Sequence, residues 1–273
     1  MFSKKEATWS FSQEISFFNF NYFKGENAIV YAPIEYIGGN NEIININQSP
    51  KKNFIKIDEE NRRFIIELDK NLTTLKFNVN GELKNKCKGE WNVHLTDEEV
   101  DKLMPKEDIK CKEQLKKIAQ KIINDFDKEH KNSDFEFLDY MKIGFWVHKN
   151  IKYDMNYSGK KMSAMEIYNL TKGVCHHFTL LSNALLYSLG YKVLYVTCLC
   201  CQKNQKMNRF DLHAHSLIKI GNKWYPFDST WCILTGKLFV GHVFLKYGSS
   251  LFCEYDKKDF IIPYMDDNCQ FIK

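Results

Sequence analysis

Apolar and polar residues alternate with a period of two over short stretches of the first third of the chain. Phe54-Ile55-Lys56-Ile57, Phe64-Ile65-Ile66-Glu67-Leu68 and Leu75-Lys76-Phe77-Asn78-Val79 each fit a half-buried strand, in which successive side chains face opposite sides. Asp58 to Asn61 supplies a turn between the first two. Asn80-Gly81 after the third predicts a hairpin, because both residues tolerate positive φ. Residues 1–95 are therefore expected to form a β-rich N-terminal unit of antiparallel strands. At Thr96 the period changes. Thr96-Asp97-Glu98-Glu99 has the form of a capping box and predicts a short helix closed by Pro105. Leu115, Ile118, Ile122 and Phe126 then recur at helical spacing, with lysines on the other face as solvated surface. A second helix is predicted from Asp134, as its N-cap, to Asn150, with Phe135, Leu138, Met141 and Phe145 as the inner stripe.

A more apolar helix is predicted from Cys175 to Leu189, stopped by Gly190. Strands follow at Lys192 to Thr197, His213 to Ile220 and Lys223 to Phe227, the last two joined tightly across Gly221-Asn222. The polar run from Gln202 to Arg209 reads as a surface loop near the rim of a cleft. Thr235 to Lys273 is aromatic-rich and holds short strand-like runs without evident partners. Residues 96–273 are thus expected to be a second, α+β domain.

Composition narrows the setting. With 44% hydrophobic residues, 21 Phe and 14 Tyr, the chain can bury a sizeable core and reads as globular. Its 39 basic and 34 acidic side chains leave +5, spread along the chain rather than gathered in a block, which predicts no nucleic-acid partner. No stretch approaches the roughly 18 apolar residues of a membrane span, so no membrane partner is expected. The first residues lack the apolar run and small-residue cleavage site of a secretory signal. Nine cysteines, an odd count without an export signal, favour reduced thiols, and the expected location is cytoplasmic.

One cysteine stands apart by position. Cys175 in Lys172-Gly173-Val174-Cys175 opens the apolar helix, where unpaired backbone N–H groups and the positive end of the helix dipole stabilise a thiolate. The same N–H groups can face the oxyanion of a tetrahedral intermediate. A thiolate nucleophile needs a partner that accepts and returns a proton, and His213 and His215 are both candidates, two residues apart on one strand face. A carboxylate must orient that imidazole. Asp228, at the end of the adjacent strand, is placed by cross-strand pairing to do so.

These residues resemble the transglutaminase-like, papain-type superfamily, nearest in motif to kyphoscoliosis-peptidase-like and bacterial cysteine-peptidase-like members. The resemblance covers about residues 137–232 in four ordered motifs. Phe145-Trp146-Val147-His148-Lys149-Asn150-Ile151-Lys152-Tyr153-Asp154 is similar to the segment before the family's nucleophile, and Gly173-Val174-Cys175 to the nucleophile motif. His213-Ala214-His215 occupies the family's His-Ala-Trp position. Lys223-Trp224-Tyr225-Pro226-Phe227-Asp228-Ser229-Thr230-Trp231 is similar to the family's second strand and aspartate.

The resemblance implies a catalytic helix packed on an antiparallel sheet, with Cys175 as nucleophile, His213 as base and Asp228 as orienter, fifteen residues after the base. It implies acyl transfer from protein or peptide amides through a thioester, without cofactor, to water (a peptidase or deamidase) or to an amine (a transglutaminase). A non-catalytic scaffold is the alternative from another class. His215 stands where the family carries Trp, which leaves it as the alternative base. Tyr153 and Trp146 are candidates for a second oxyanion donor, and His176 for the cleft lining. The C-x-x-C within Cys198-Leu199-Cys200-Cys201 has no second pair to complete four ligands, so no metal is expected.

Overall fold

A computed structural model of the protein describes residues 6–18, 27–31, 41–49, 55–58, 63–67, 74–86, 89–201, 210–238, 242–248, 253–255 and 264–271. The expected loop at 202–209 lies outside these residues. In chain order come β1 (Glu6–Phe18), β2 (Asn27–Tyr31), β3 (Asn41–Ser49), β4 (Ile55–Asp58), β5 (Arg63–Glu67) and β6 (Thr74–Lys86). Helices α1 (Asp97–Lys102), α2 (Lys106–Lys110), α3 (Lys112–Glu129) and α4 (Asp139–Asn150) follow. Then come β7 (Lys152–Tyr153), α5 (Ala164–Leu170), β8 (Lys172–Gly173), α6 (Cys175–Ser188), β9 (Val193–Cys201), β10 (Phe210–Ile220) and β11 (Lys223–Phe227). The last elements are β12 (His242–Tyr247), β13 (Cys253–Tyr255) and β14 (Tyr264–Phe271). None of the described helices is long and apolar enough to cross a membrane.

The chain divides into two units, one of residues 1–87, 197–212 and 239–273, the other of residues 88–196 and 213–238. The first holds two antiparallel sheets, ordered β14-β1-β6-β3 and β13-β2-β5-β4. The C-terminal strands, whose partners the sequence pattern leaves open, thus return to the N-terminal ones: Trp9 lies opposite Phe271 and Val30 opposite Cys253. One expectation is corrected here. Asn80-Gly81 is no hairpin, because β6 runs straight through it, with Gly81 opposite Phe11 on one side and Ile46 on the other. Backbone pairing along both edges of a thirteen-residue strand outweighs the turn preference of two residues.

The second unit carries the helices and the strand order β11-β10-β9. Thr96 caps α1 with a complete capping box, as its sequence predicts. Helix α3 buries Leu115, Ala119, Ile122 and Phe126. The start of α4 differs from expectation. Asp134 caps nothing; Ser133 takes the Phe135 N–H on its hydroxyl at 3.1 Å, the chain bends at Asp134 and Phe135, and the helix begins only after an extended Leu138. Phe135 and Leu138 are left 57% and 44% exposed, and the buried face is Tyr140, Ile143, Gly144 and Val147, one helical stripe away. A local side-chain bond to the backbone competes with the first helical turn and delays it.

Helix α6 is buried along almost its whole length. Phe178, Leu181, Leu185 and Leu186 pack with residues of α3, α4 and α5 on the helical side and with Val193, Ala214, Ile218 and Phe227 of the sheet. Each such side chain contributes about 2 kcal/mol by leaving water. The helix ends as predicted: Gly190 has φ +96, its N–H donates to Tyr187 O, and Tyr191 N–H donates to Leu186 O at 3.1 Å. Strands β10 and β11 form a two-residue antiparallel hairpin across Gly221, with Ile220 opposite Lys223 and Ser216 opposite Phe227. The second unit is a mixed α+β core with its longest apolar helix packed on this sheet.

Candidate active site

Cys175 owes its place to the two residues before it. Strand β8 ends at Gly173, Val174 is extended (φ −109, ψ 179), and the helix begins at Cys175 itself. Val174 has no capping oxygen, so a histidine supplies the cap. The Val174 N–H donates to His177 Nδ1 at 3.0 Å, while His177 Nε2 donates to the Lys160 carbonyl at 2.9 Å. These two backbone partners set the tautomer. Burial holds His177 below the usual imidazole range, against the opposing pull of the Lys160 carbonyl. A neutral ring also suits the positive end of the helix dipole.

His177 stands against Gly173 so closely that a Cβ there would lie 2.5 Å from its Cβ and 2.8 Å from its Cγ. Gly173→Ala is therefore expected to push His177 off both backbone partners and to cost about 1–3 kcal/mol, as overpacking in a tight site does. Urea unfolding measures this, and an unchanged midpoint would show that the close approach relaxes at no cost.

His176, the next residue along, turns from the thiol to β9, where its Nδ1 lies 2.8 Å from the Tyr195 hydroxyl. Burial, and then the neighbouring His177, depress it to about 4, so it is neutral over the physiological range. The Cys175 thiol is free and partly exposed.

His213 and Asp228 meet at one end of the β10–β11 hairpin. Asp228 directly follows Phe227, whose partner Ser216 lies three residues beyond His213. His213 Nε2 donates to Asp228 Oδ2 at 2.6 Å, and both side chains are buried, 5% and 0% exposed. The other carboxylate oxygen accepts the Thr230 and Trp231 N–H groups at 2.8 and 3.2 Å. These donors hold the carboxylate in place. Burial opposes charge on His213, but the Asp228 carboxylate, and then the hydrogen bond and charge of the Cys175 sulfur, more than offset it and carry the imidazole to about 10. With Nε2 on Asp228, Nδ1 is the ring nitrogen left for Cys175.

The turn after Asp228 is itself braced. Asp228 and Ile233 exchange two backbone hydrogen bonds of 2.9 Å, closing a loop in which Cys232 takes φ +55. Ser182 of α6 donates to Ser229 Oγ at 2.9 Å, and His148 of α4 donates from Nδ1 to the Thr230 carbonyl at 3.1 Å. The turn also lays Trp231 on the imidazole of His213, centroids 4.5 Å apart and planes 16° apart. Trp231 shields one face of the ring. The sequence marks this tryptophan as part of a motif, but its contact arises only from the turn.

The remaining candidates are placed differently. His215 is buried and stands edge-on to Trp91 at 5.9 Å; of the two histidines, His213 is the one bonded to Asp228. Trp91 reaches this position by a backbone pairing with Trp224, which no local pattern reveals. Trp146 stacks on Tyr168 of α5 at 5.6 Å. Tyr153, on β7, lies opposite Gly173 and is 48% exposed.

A partly exposed thiol at a helix start, beside an imidazole and carboxylate carried by a hairpin, is the arrangement of papain-type thiol enzymes. The sequence profile of the transglutaminase-like superfamily matches residues 130–229, which span all three groups, and this segment belongs to that superfamily. No curated protein matches the chain. Among solved structures, a proposed cysteine protease from Cytophaga hutchinsonii aligns over 99% of this chain and 92% of its own, with a TM-score of 0.65 and 17% identity. That likeness shows a shared fold. A TGase structure aligns at 12% identity over 70% of this chain and 45% of its own, with a TM-score of 0.31. A proposed protease from Parabacteroides distasonis aligns at 10% identity over 82% and 64%, with a TM-score of 0.29.

Proposed function

We propose that the chain is a thiol enzyme that cleaves protein or peptide amides as a cysteine peptidase, with Cys175 as nucleophile, His213 as general acid and base, and Asp228 as the residue that orients His213. The observation that carries this reading is the imidazole held by a buried carboxylate at 2.6 Å, with the Cys175 sulfur as its other partner. In this scheme the Cys175 thiolate attacks the amide carbon, and the oxyanion faces the free N–H groups at the start of α6. The proton on His213 passes to the leaving amine as the C–N bond breaks. Water, giving its proton to His213, then attacks the thioester and the C–S bond breaks, releasing a carboxylic acid. For a second oxyanion donor we favour Tyr153, whose strand pairs with Gly173, over Trp146, which stacks on Tyr168.

The choice of water over an amine as acceptor follows the name of the Cytophaga relative that shares this fold. Iodoacetamide labelling across about pH 5 to 8 tests the chemistry: Cys175 is expected to react well ahead of the other thiols, and equal reactivity would favour a non-catalytic scaffold. Incubation with a glutamine-containing protein and a labelled amine tests the acceptor. Cys175-dependent incorporation of the amine would replace peptidase by transglutaminase.

A further inference from the structure

The geometry points to a substrate class: we infer that the surface beside the nucleophile selects peptides with acidic side chains next to the reacting amide. The inference rests on the thiol-enzyme reading above. Its basis is two lysines side by side. Strands β7 and β8 pair in parallel with Lys152 opposite Lys172, so both residues occupy neighbouring positions on one side of the strand pair, roughly 4.8 Å apart. Both are exposed, and among the described residues the ion pairs are made by other lysines. Like charges directly opposite on adjacent strands destabilise the pair. The arrangement therefore has a cost that an incoming negative charge would relieve.

Among the described residues neither Asp154 nor Glu166 forms an ion pair with Lys152 or Lys172, and the bonds these carboxylates make are to their own turns. Asp154 Oδ1 accepts the Asn156 N–H at 3.0 Å, and Glu166 Oε2 accepts both the N–H and the hydroxyl of Ser163 at 2.8 Å. A third ammonium lies on the segment between them: Lys160, whose carbonyl is bonded to His177 of the nucleophile's helix, has its Nζ over the Tyr157 ring at 4.6 Å. Lys172 precedes Cys175 by three residues, so their Cα atoms lie within roughly 10 Å. An extended peptide advances about 3.3 Å per residue, which brings an acidic side chain within about three positions of the reacting amide to the lysine pair. The surface there is open, with both lysines exposed and Met155, just beyond β7, 65% exposed.

The test uses thiol-directed peptidyl vinyl sulfones in matched pairs, identical except for Glu or Gln at the flanking positions, with the rate of Cys175 modification read by mass spectrometry. The Glu probe is expected to react about tenfold faster at low salt, as two exposed charge contacts allow, and about twofold faster in 0.5 M salt. In the double variant Lys152→Met/Lys172→Met the ratio is expected to fall to about one, and Lys152→Glu/Lys172→Glu to reverse it in favour of Lys-flanked probes. Lys121→Met, on the exposed face of α3, is expected to keep the native ratio. Equal rates for the Glu and Gln probes, with Cys175 still selectively alkylated by iodoacetamide, would overturn the substrate inference alone. A Cys175 unreactive to every probe and to iodoacetamide would overturn the thiol-enzyme reading and this inference with it.

Discussion

His213→Ala is expected to lower amide turnover by at least about 10⁴-fold, the scale on which loss of the base disables a nucleophile–base–acid unit. The expectation follows from contacts rather than strand position. His213 and His215 are both buried on β10, yet His213 is bonded to Asp228 at 2.6 Å and covered by Trp231, whereas His215 stands edge-on to Trp91. His215→Ala is expected to leave turnover within about tenfold and to appear in stability instead, costing about 2–4 kcal/mol through a lost buried ring. Measurement of kcat/KM alongside urea midpoints separates the two. Activity that survives His213→Ala and disappears in His215→Ala, with both variants folded, would transfer the base role to His215.

Asp228→Asn is expected to lower kcat by about 10³–10⁴-fold while keeping the shape of the turn. The Asn carbonyl can still accept from the Thr230 and Trp231 N–H groups. Its amide then turns a donor toward Nε2, which selects the wrong tautomer of His213. The pH behaviour follows from the same contact. Burial pushes His213 down, and the carboxylate and sulfur lift it to about 10; without the carboxylate the burial effect remains and the imidazole falls.

Because the folded value lies above the unfolded one of 6.5, the pair's contribution to stability is fully present below about pH 6.5. It is lost as pH rises through about 10. The wild-type protein is expected to lose stability over that window and Asp228→Asn to lose much less. Parallel pH curves for the two would remove the imidazolium–carboxylate pair as the cause. The alkaline limb of the activity profile is expected to move down in the variant, which a purely structural defect would not produce.

The elements that carry the candidate site were legible because they are written in local patterns. An apolar helix that starts at Cys175 and stops at Gly190, and a hairpin that turns at Gly221-Asn222, are set by short-range rules of helix termini and tight turns, and both occur as expected. The same local rules failed where longer-range pairing or a competing side chain intervened. Asn80-Gly81 has the chemistry of a turn and lies inside a strand paired on both edges. Asp134 has the chemistry of a cap and is displaced by the Ser133 bonds that delay α4. The His177 cap on Val174 escapes such local rules, because its ring is fixed from the other side by the Lys160 carbonyl, seventeen residues away.

By itself, then, the sequence determined which elements exist around the site and which residue types sit at their ends: a thiol at a helix start, histidines two apart on one strand, an aspartate closing the next. Period and turn chemistry act over a few residues, and so are written in a few residues. Only the tertiary structure decided which histidine meets the carboxylate, that Trp231 covers its ring, that α4 and α6 brace the Asp228 turn, and that Lys152 stands beside Lys172. Each of these depends on contacts between segments distant in sequence or on the path of one turn. Packing energy, which no local pattern encodes, selects among the arrangements that the local rules allow.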